Sequence, residues 1–394
     1  MFSRRNKLFY FALEGSNAFA TGYYAFYLFF FLRDHFGFGN LGNLCVSALT
    51  GFIYVFAAWQ GGRFAQRCGY FTALRVGFGG MALALGAGSV AAGLGAQLAV
   101  LAAWTVCVCF TWPTLEALAS EGETDAGLPQ MVGLYNLIWS SGSALAYLCG
   151  GAIFERLGAR SIFWIPAVIH AGQWCVVTWL AQRPQAAPAP RPSAPAPAHE
   201  PEAAAFAQPV RPKTFLRMAW LANPFAYVAI NTVLATVPTL ARELHLTTAQ
   251  SGLFCSVWFF ARLATFALLW RWTGWHYRFR WLLAAFLGLT VGFATLLLAQ
   301  RLGWLVLAQI VFGCSVGLIY YSSLFYSMDV GETKGEHGGL HEAAIGAGIC
   351  VGPAVGATGL FLAPGTPHAG AFAVSGLLAL GLAGLIALRL RHAP

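Results

Sequence analysis

Residues 133–151 read GLYNLIWSSGSALAYLCGG, and residues 339–357 read GLHEAAIGAGICVGPAVGA. At a constant offset of 206 positions the two superpose in one register: Gly133 meets Gly339, Leu134 meets Leu340, Gly142 meets Gly348 and Gly150 meets Gly356. Each copy is apolar and close to bilayer length. Its glycines are spaced so that a neighbouring backbone can approach closely, as helix contacts inside lipid require. The chain therefore reads as a duplicated membrane protein.

Composition agrees. Of 394 residues, 58% are hydrophobic and only 9% charged, whereas a water-soluble chain of this length carries far more charge. Lys and Arg (23) exceed Asp and Glu (14), but the arginines fall in short clusters between apolar runs rather than on one basic face. Membrane orientation accounts for that pattern and nucleic-acid binding does not. The nine cysteines are scattered singly, mostly within apolar segments, as small buried hydrophobes rather than a disulfide framework. The opening MFSRRNK leads straight into a long apolar run containing Glu14 and Asn17, without a small-residue cleavage site, so a retained first helix is expected.

Twelve apolar runs can be marked: 8–32, 41–60, 74–94, 97–118, 130–153 and 161–182, then 214–240, 250–270, 281–299, 304–327, 339–363 and 369–388. Between the sixth and seventh lies RPQAAPAPRPSAPAPAHEPEAAAFAQPVRPK, which holds half of the 18 prolines and cannot build a packed core. The expected division is a six-helix bundle over 1–182, a Pro/Ala-rich linker over 183–213 and a second six-helix bundle over 214–394. Every second loop is basic: Arg4, Arg5 and Lys7, then Arg63, Arg67 and Arg75, the linker arginines, Arg271, Arg278 and Arg280, and finally Arg389 and Arg391. Both termini and the linker are thus expected in the cytoplasm. The repeat extends into the loops, with Arg33-Asp34 echoed by Arg242-Glu243, and Gly69 and Arg75 echoed by Gly274 and Arg280.

Two six-helix halves, a long linker and a basic, Gly-containing loop after the second helix together resemble the major facilitator superfamily of secondary transporters. The loop reads Gly62-Arg63-Phe64-Ala65-Gln66-Arg67-Cys68-Gly69-Tyr70. Gly62, Arg67 and Gly69 fit the superfamily's gating-loop pattern, while Gln66 stands at its acidic position and Tyr70 at a basic one. The segment Gly150-Gly151-Ala152-Ile153-Phe154-Glu155-Arg156-Leu157-Gly158 and the Gly352-Pro353 pair are similar to further superfamily segments. The resemblance implies an all-α integral membrane fold of twelve transmembrane helices in two pseudo-symmetric halves, working by alternating access.

An ionisable group inside hydrocarbon costs several kcal/mol unless paired or hydrated, so each one is a functional candidate. Glu14, Asn17, Thr21 and Tyr24 recur at spacings of three and four and share one helix face, which is expected to line an aqueous cavity. A polar helix contact without transport chemistry is the plainer alternative. Arg262 lies mid-helix on a stripe with Cys255, Trp258 and Thr265, and needs an anion beside it, either an internal carboxylate or the substrate. Glu116 and Glu342 lie near helix ends, where snorkelling or a loop salt bridge competes with a role as proton sites. Glu14 is the leading proton candidate of the three, since a carboxyl that is desolvated in one conformation and wetted in the other takes up and releases a proton.

The remaining polar stripes are Asn136, Ser140 and Ser143 on the fifth helix, Asn223, Tyr227 and Asn231 on the seventh, and Gln309 and Tyr320 on the tenth. Trp112, Trp139 and Trp258 supply aromatic walls, although tryptophans also populate lipid belts. His170 and Gln173 read as a satisfied interior pair. His337 and His341, flanked by Glu336 and Glu342, are four apart but interrupted by two glycines and lack a metalloprotease order, so no metal is expected. No nucleotide-binding loop or cofactor fingerprint occurs, and no catalytic set emerges at recognisable spacing.

The expected protein is a monomeric secondary transporter, without cofactor, in a bacterial plasma membrane. It moves a small organic solute, anionic or zwitterionic, by proton-coupled symport. A proton-coupled exporter of lipophilic compounds and a non-transporting receptor that keeps the transporter fold are the alternatives.

Overall fold

The computed structural model describes residues 4–121, 123, 127–183, 212–330 and 336–391. The Pro/Ala-rich linker falls almost wholly outside them. Helices account for all the spans: α1 (Arg4–Phe36), α2 (Asn40–Cys68), α3 (Tyr70–Val90), α4 (Leu94–Val108), α5 (Trp112–Ser120), α6 (Leu128–Leu157) and α7 (Ser161–Ala181) form the first half. The second half contains α8 (Pro212–Glu243), α9 (Thr248–Cys255), α10 (Val257–Arg271), α11 (Phe279–Leu297), α12 (Leu302–Val330), α13 (Glu336–Leu362) and α14 (Ala369–Arg391).

Among the described residues fourteen helices make twelve spans, because two runs expected to be continuous are broken. The fourth divides into α4 and α5 at residues 109–111. Pro113 has no N–H to give the Cys109 carbonyl, and the chain tightens into short turns, with Phe110 N on the Cys107 carbonyl (3.2 Å) and Thr111 N on that of Val108 (2.9 Å). The eighth divides into α9 and α10 at Ser256. Eleven spans are long and apolar enough to cross a membrane by composition, and α1 completes the twelve. The polar residues that lower its hydropathy, Glu14 and Asn17, are fully buried among its neighbours.

The duplicated segments do the same work in each half. On α6, a Cβ at Gly142 would come within 2.6 Å of the Gly15 carbonyl of α1. On α13, the equivalent Gly348 lies against the Pro224 carbonyl of α8. Each glycine thus lets the fifth helix of its half lie backbone to backbone on the first. The halves meet through exchanged partners: α13 packs along α2, and α6 along α9 and α10. Away from the chain termini the contact is fastened by hydrogen bonds. Arg33 Nη1 donates to the Pro238 carbonyl (3.0 Å), and the Ala249 amide at the start of α9 donates to Glu155 Oε1 at the end of α6 (2.9 Å).

Candidate functional site

Arg262 projects from α10, one turn past the break in the eighth span, and is only 5% exposed. Its guanidinium carbon lies 4.6 Å from the ring centre of Trp139 and 5.2 Å from those of Trp258 and Phe259. Trp139 belongs to α6, so this contact crosses between the halves. Nε and Nη2 have no hydrogen-bond partner, and among the described residues no carboxylate stands within ion-pair distance of the guanidinium. A desolvated cation–π contact contributes about 2 kcal/mol, against several kcal/mol for burying the ion. The aromatic cup therefore steadies the charge without neutralising it.

That cup continues as a wall. Trp139 Nε1 donates to Asn136 Oδ1 (2.8 Å), fixing the indole, whose ring meets Trp112 (6.5 Å), Phe266 (5.9 Å) and Tyr320 (5.5 Å). Trp112 stands at the start of α5, where the break in the fourth span turns it.

Three carboxyl groups gather beside this wall, on α1, α5 and α13. Glu14 on α1 is fully buried, and the Tyr135 hydroxyl of α6 lies beside it. That hydroxyl also donates, at 3.4 Å, to the Trp112 carbonyl. Glu116, on α5, lies within electrostatic reach of both Glu14 and Glu342. Glu342 on α13 accepts a hydrogen bond from the Tyr54 hydroxyl of α2 (2.7 Å). Tyr227 and Tyr320 stand between the two charge types, each within reach of Arg262 and of Glu342. The result is a two-signed centre: one uncompensated cation at one end, three acids at the other, and phenols and indoles between.

Other residues singled out from the sequence lie elsewhere or are already occupied. Tyr24 is fully buried within the first half, its ring against Trp104 (4.8 Å) and Phe163 (5.6 Å), because α1 is packed on several sides rather than along one cavity face. Asn17 donates to Thr111 Oγ1 (3.3 Å) and so ties α1 to the break in the fourth span. Ser140 is buried and bonds the Leu137 carbonyl of its own helix (3.4 Å), as Asn231 bonds that of Tyr227 (3.0 Å). Trp258 offers Arg262 a ring face but is itself 2% exposed and packed on Phe312. Gln309 spends both ends of its amide on the backbone of the eighth span, donating to the Phe254 carbonyl (2.7 Å) and accepting from the Trp258 amide (3.4 Å). These bonds correct its reading as a substrate ligand.

In the gating loop, Gly69 has φ +90°, a conformation that favours glycine, and lets α2 turn directly into α3. Gly62 lies within α2, and Arg67 is exposed without an ion-pair partner among the described residues. His170 is fully buried with Nδ1 on Gln173 Oε1 (2.8 Å). The side chains of His337 and His341 lie outside the described residues. Tyr54 and Tyr135 were not singled out from the sequence. A tyrosine inside an apolar run was the available signal, but its partner sits on a different helix. A small cleft lined by Asn40, Thr232, Glu243 and His368 opens far along the bundle and shares no residue with this centre.

No curated protein shows significant sequence similarity to the chain. Its fold is similar to that of a peptide transporter, POT, with a TM-score of 0.74 at 14% identity over 99% of this chain and 95% of that one. It is similar to the human organic anion transporter MFSD10 (TETRAN), with a TM-score of 0.68 at 16% identity over 98% and 100%. The nucleoside transporter NupG gives 0.68 at 13% identity over 97% and 98%. The sequence model of the Major Facilitator Superfamily matches residues 17–353, from within α1 to within α13. The chain is an integral membrane transporter and belongs to the Major Facilitator Superfamily.

Proposed function

We propose that the chain carries a small organic solute with an anionic group, as a free anion or within a zwitterion, across the membrane by alternating access, in symport with protons. The observation that supports this reading is Arg262: buried, cupped by three aromatic rings and, among the described residues, without a carboxylate partner. An ion held in this way gains most from a ligand that brings the missing charge. The carboxyl groups opposite favour a substrate that also carries a cationic group, and they offer proton sites, because a neutral carboxyl is buried at far lower cost than a carboxylate. Glu14, Glu116 and Glu342 take the proton role, and Trp112, Trp139, Tyr227 and Tyr320 form the walls. Solute enters as a monomeric protein rocks its halves about this centre, in a bacterial plasma membrane with both termini in the cytoplasm.

The test is uptake into proteoliposomes under an imposed proton gradient, using a panel of labelled anions, zwitterions and cations. The reading predicts gradient-driven accumulation of an anionic or zwitterionic solute and its loss in Arg262→Ala. Accumulation of cations alone, or flux unaffected by that substitution, contradicts it.

A further inference from the structure

Gln309 is buried on α12, 1% exposed, and its amide lies inside the hydrogen-bond ladder of the neighbouring span. In an unbroken helix the Phe254 carbonyl would receive the Trp258 amide, four residues on. Here Gln309 Nε2 donates to that carbonyl (2.7 Å) and Gln309 Oε1 accepts from that amide (3.4 Å), while Nε2 also reaches the Leu305 carbonyl of its own helix (3.3 Å). One side chain thus occupies both ends of a single missing helix bond. Insertion of a side chain into the ladder is among the few causes of a sharp bend. The interruption falls at this point, with α9 ending at Cys255 and α10 starting at Val257.

The two segments on either side answer to different partners. α9 is held to the first half: Gly252 rests against the Tyr147 and Leu148 carbonyls of α6, Gly151 against the backbone of Thr248, and Glu155 receives the Ala249 amide. α10 is held chiefly to its own half, with Gly313 of α12 against the Trp258 carbonyl and Gly317 against Thr265, and meets α6 through Arg262 and Phe266 on the Trp139 ring. The joint therefore lies where the main backbone packing of the span passes from α6 to α12, and Arg262 follows Trp258 by one helical turn.

We infer that Gln309 is the hinge pin of the eighth span. Its inserted amide holds the ladder open between Phe254 and Trp258, and so sets the direction of α10 and the place of Arg262. Motion that separates α9 from α6 is absorbed at this joint. Gln309 acts through Arg262 and is a positioning residue, whatever solute is carried. Without the amide, the freed carbonyl and N–H have no water to turn to inside the membrane and are satisfied only by each other. Removal of the side-chain amide therefore straightens the span.

The experiment places spin labels at Leu253 and Leu268, both exposed on the flanks of the joint, in the full chain with its native cysteines replaced, and measures their separation in nanodiscs. Gln309→Met keeps the length and loses both hydrogen-bonding groups. Gln309→Glu, in its neutral form, offers the same donor and acceptor. The inference predicts a longer mean separation in Gln309→Met, with slower deuterium exchange at the Trp258 amide, and the wild-type separation in Gln309→Glu. Coincident separations and exchange in wild type and Gln309→Met overturn it. Should the methionine variant fail to fold, the unmodified chain decides, for an opened ladder predicts exchange at Trp258 about tenfold faster than at Phe266 within the same span, and equal protection of the two amides overturns the inference.

Discussion

The Tyr54 hydroxyl donates to the Glu342 carboxyl group at 2.7 Å, and the two residues stand on α2 and α13, in opposite halves of the chain. Such a hydrogen bond contributes about 0.5–1.5 kcal/mol to a neutral carboxyl and about 1.5–3 kcal/mol to an ionised one. In the proposed alternating access this one would break as the halves separate. Tyr54→Phe is expected to leave folding intact and to lower proton-driven uptake about tenfold, which initial rates in proteoliposomes measure.

Arg262 gains from planarity as well as charge, because its guanidinium lies over Trp139, Trp258 and Phe259. A lysine ammonium keeps the charge and loses both the stacked plane and the fork of donors. Arg262→Lys is expected to weaken solute affinity by about 10- to 100-fold while folding is retained, read from saturation curves of uptake and from the melting temperature.

In the proposed symport, Glu14, Glu116 and Glu342 would divide the coupling role by position. Glu342 is tied to Tyr54 across the halves, Glu14 is fully buried beside the Tyr135 hydroxyl, and Glu116 stands within reach of both carboxyl groups. Replacing a coupling carboxyl with glutamine fixes it in a neutral, proton-loaded form. Exchange of labelled for unlabelled solute is then expected to persist while accumulation against a gradient is lost, and counterflow compared with net uptake separates the two. A glutamine variant that still concentrates solute removes that carboxyl from the coupling role.

Arg33 on the Pro238 carbonyl and Glu155 on the Ala249 amide clasp the halves at the end away from the termini. Each bond has one charged partner, and neither is large. Arg33→Ala with Glu155→Ala is expected to shift the conformational balance by about 2 kcal/mol toward opening at that end. Faster alkylation of single cysteines placed on the facing walls of α2 and α13 at that end checks it.

The architecture was legible because membrane constraints act locally. Length, apolarity and the glycine register of residues 133–151 and 339–357 are read from one helix at a time, and Gly142 and Gly348 make the backbone contacts that their spacing implies. The breaks at residues 109–111 and at Ser256 were not legible. Pro113 gave a hint of the first, but the second is produced by Gln309 from another helix, and no periodicity within residues 248–271 carries that information. The same limit separates Tyr24 from Tyr54. Both are tyrosines in apolar helices, yet one is enclosed by Trp104 and Phe163 and the other meets Glu342, and only the packing of α1 and α2 decides which. Arg262 and Glu14 stood out in the sequence because charge inside hydrocarbon is rare whatever surrounds it.

The central claim is that the charge on Arg262 is answered by the cargo. It is tested most directly by a thermal-shift screen of the purified chain and of Arg262→Ala against a library of small anions, zwitterions, cations and neutral metabolites. The account predicts that every stabilising compound bears an anionic group and that its stabilisation disappears in Arg262→Ala while the unliganded variant remains folded. Stabilisation by neutral or purely cationic compounds, or equal stabilisation of both proteins, would contradict it.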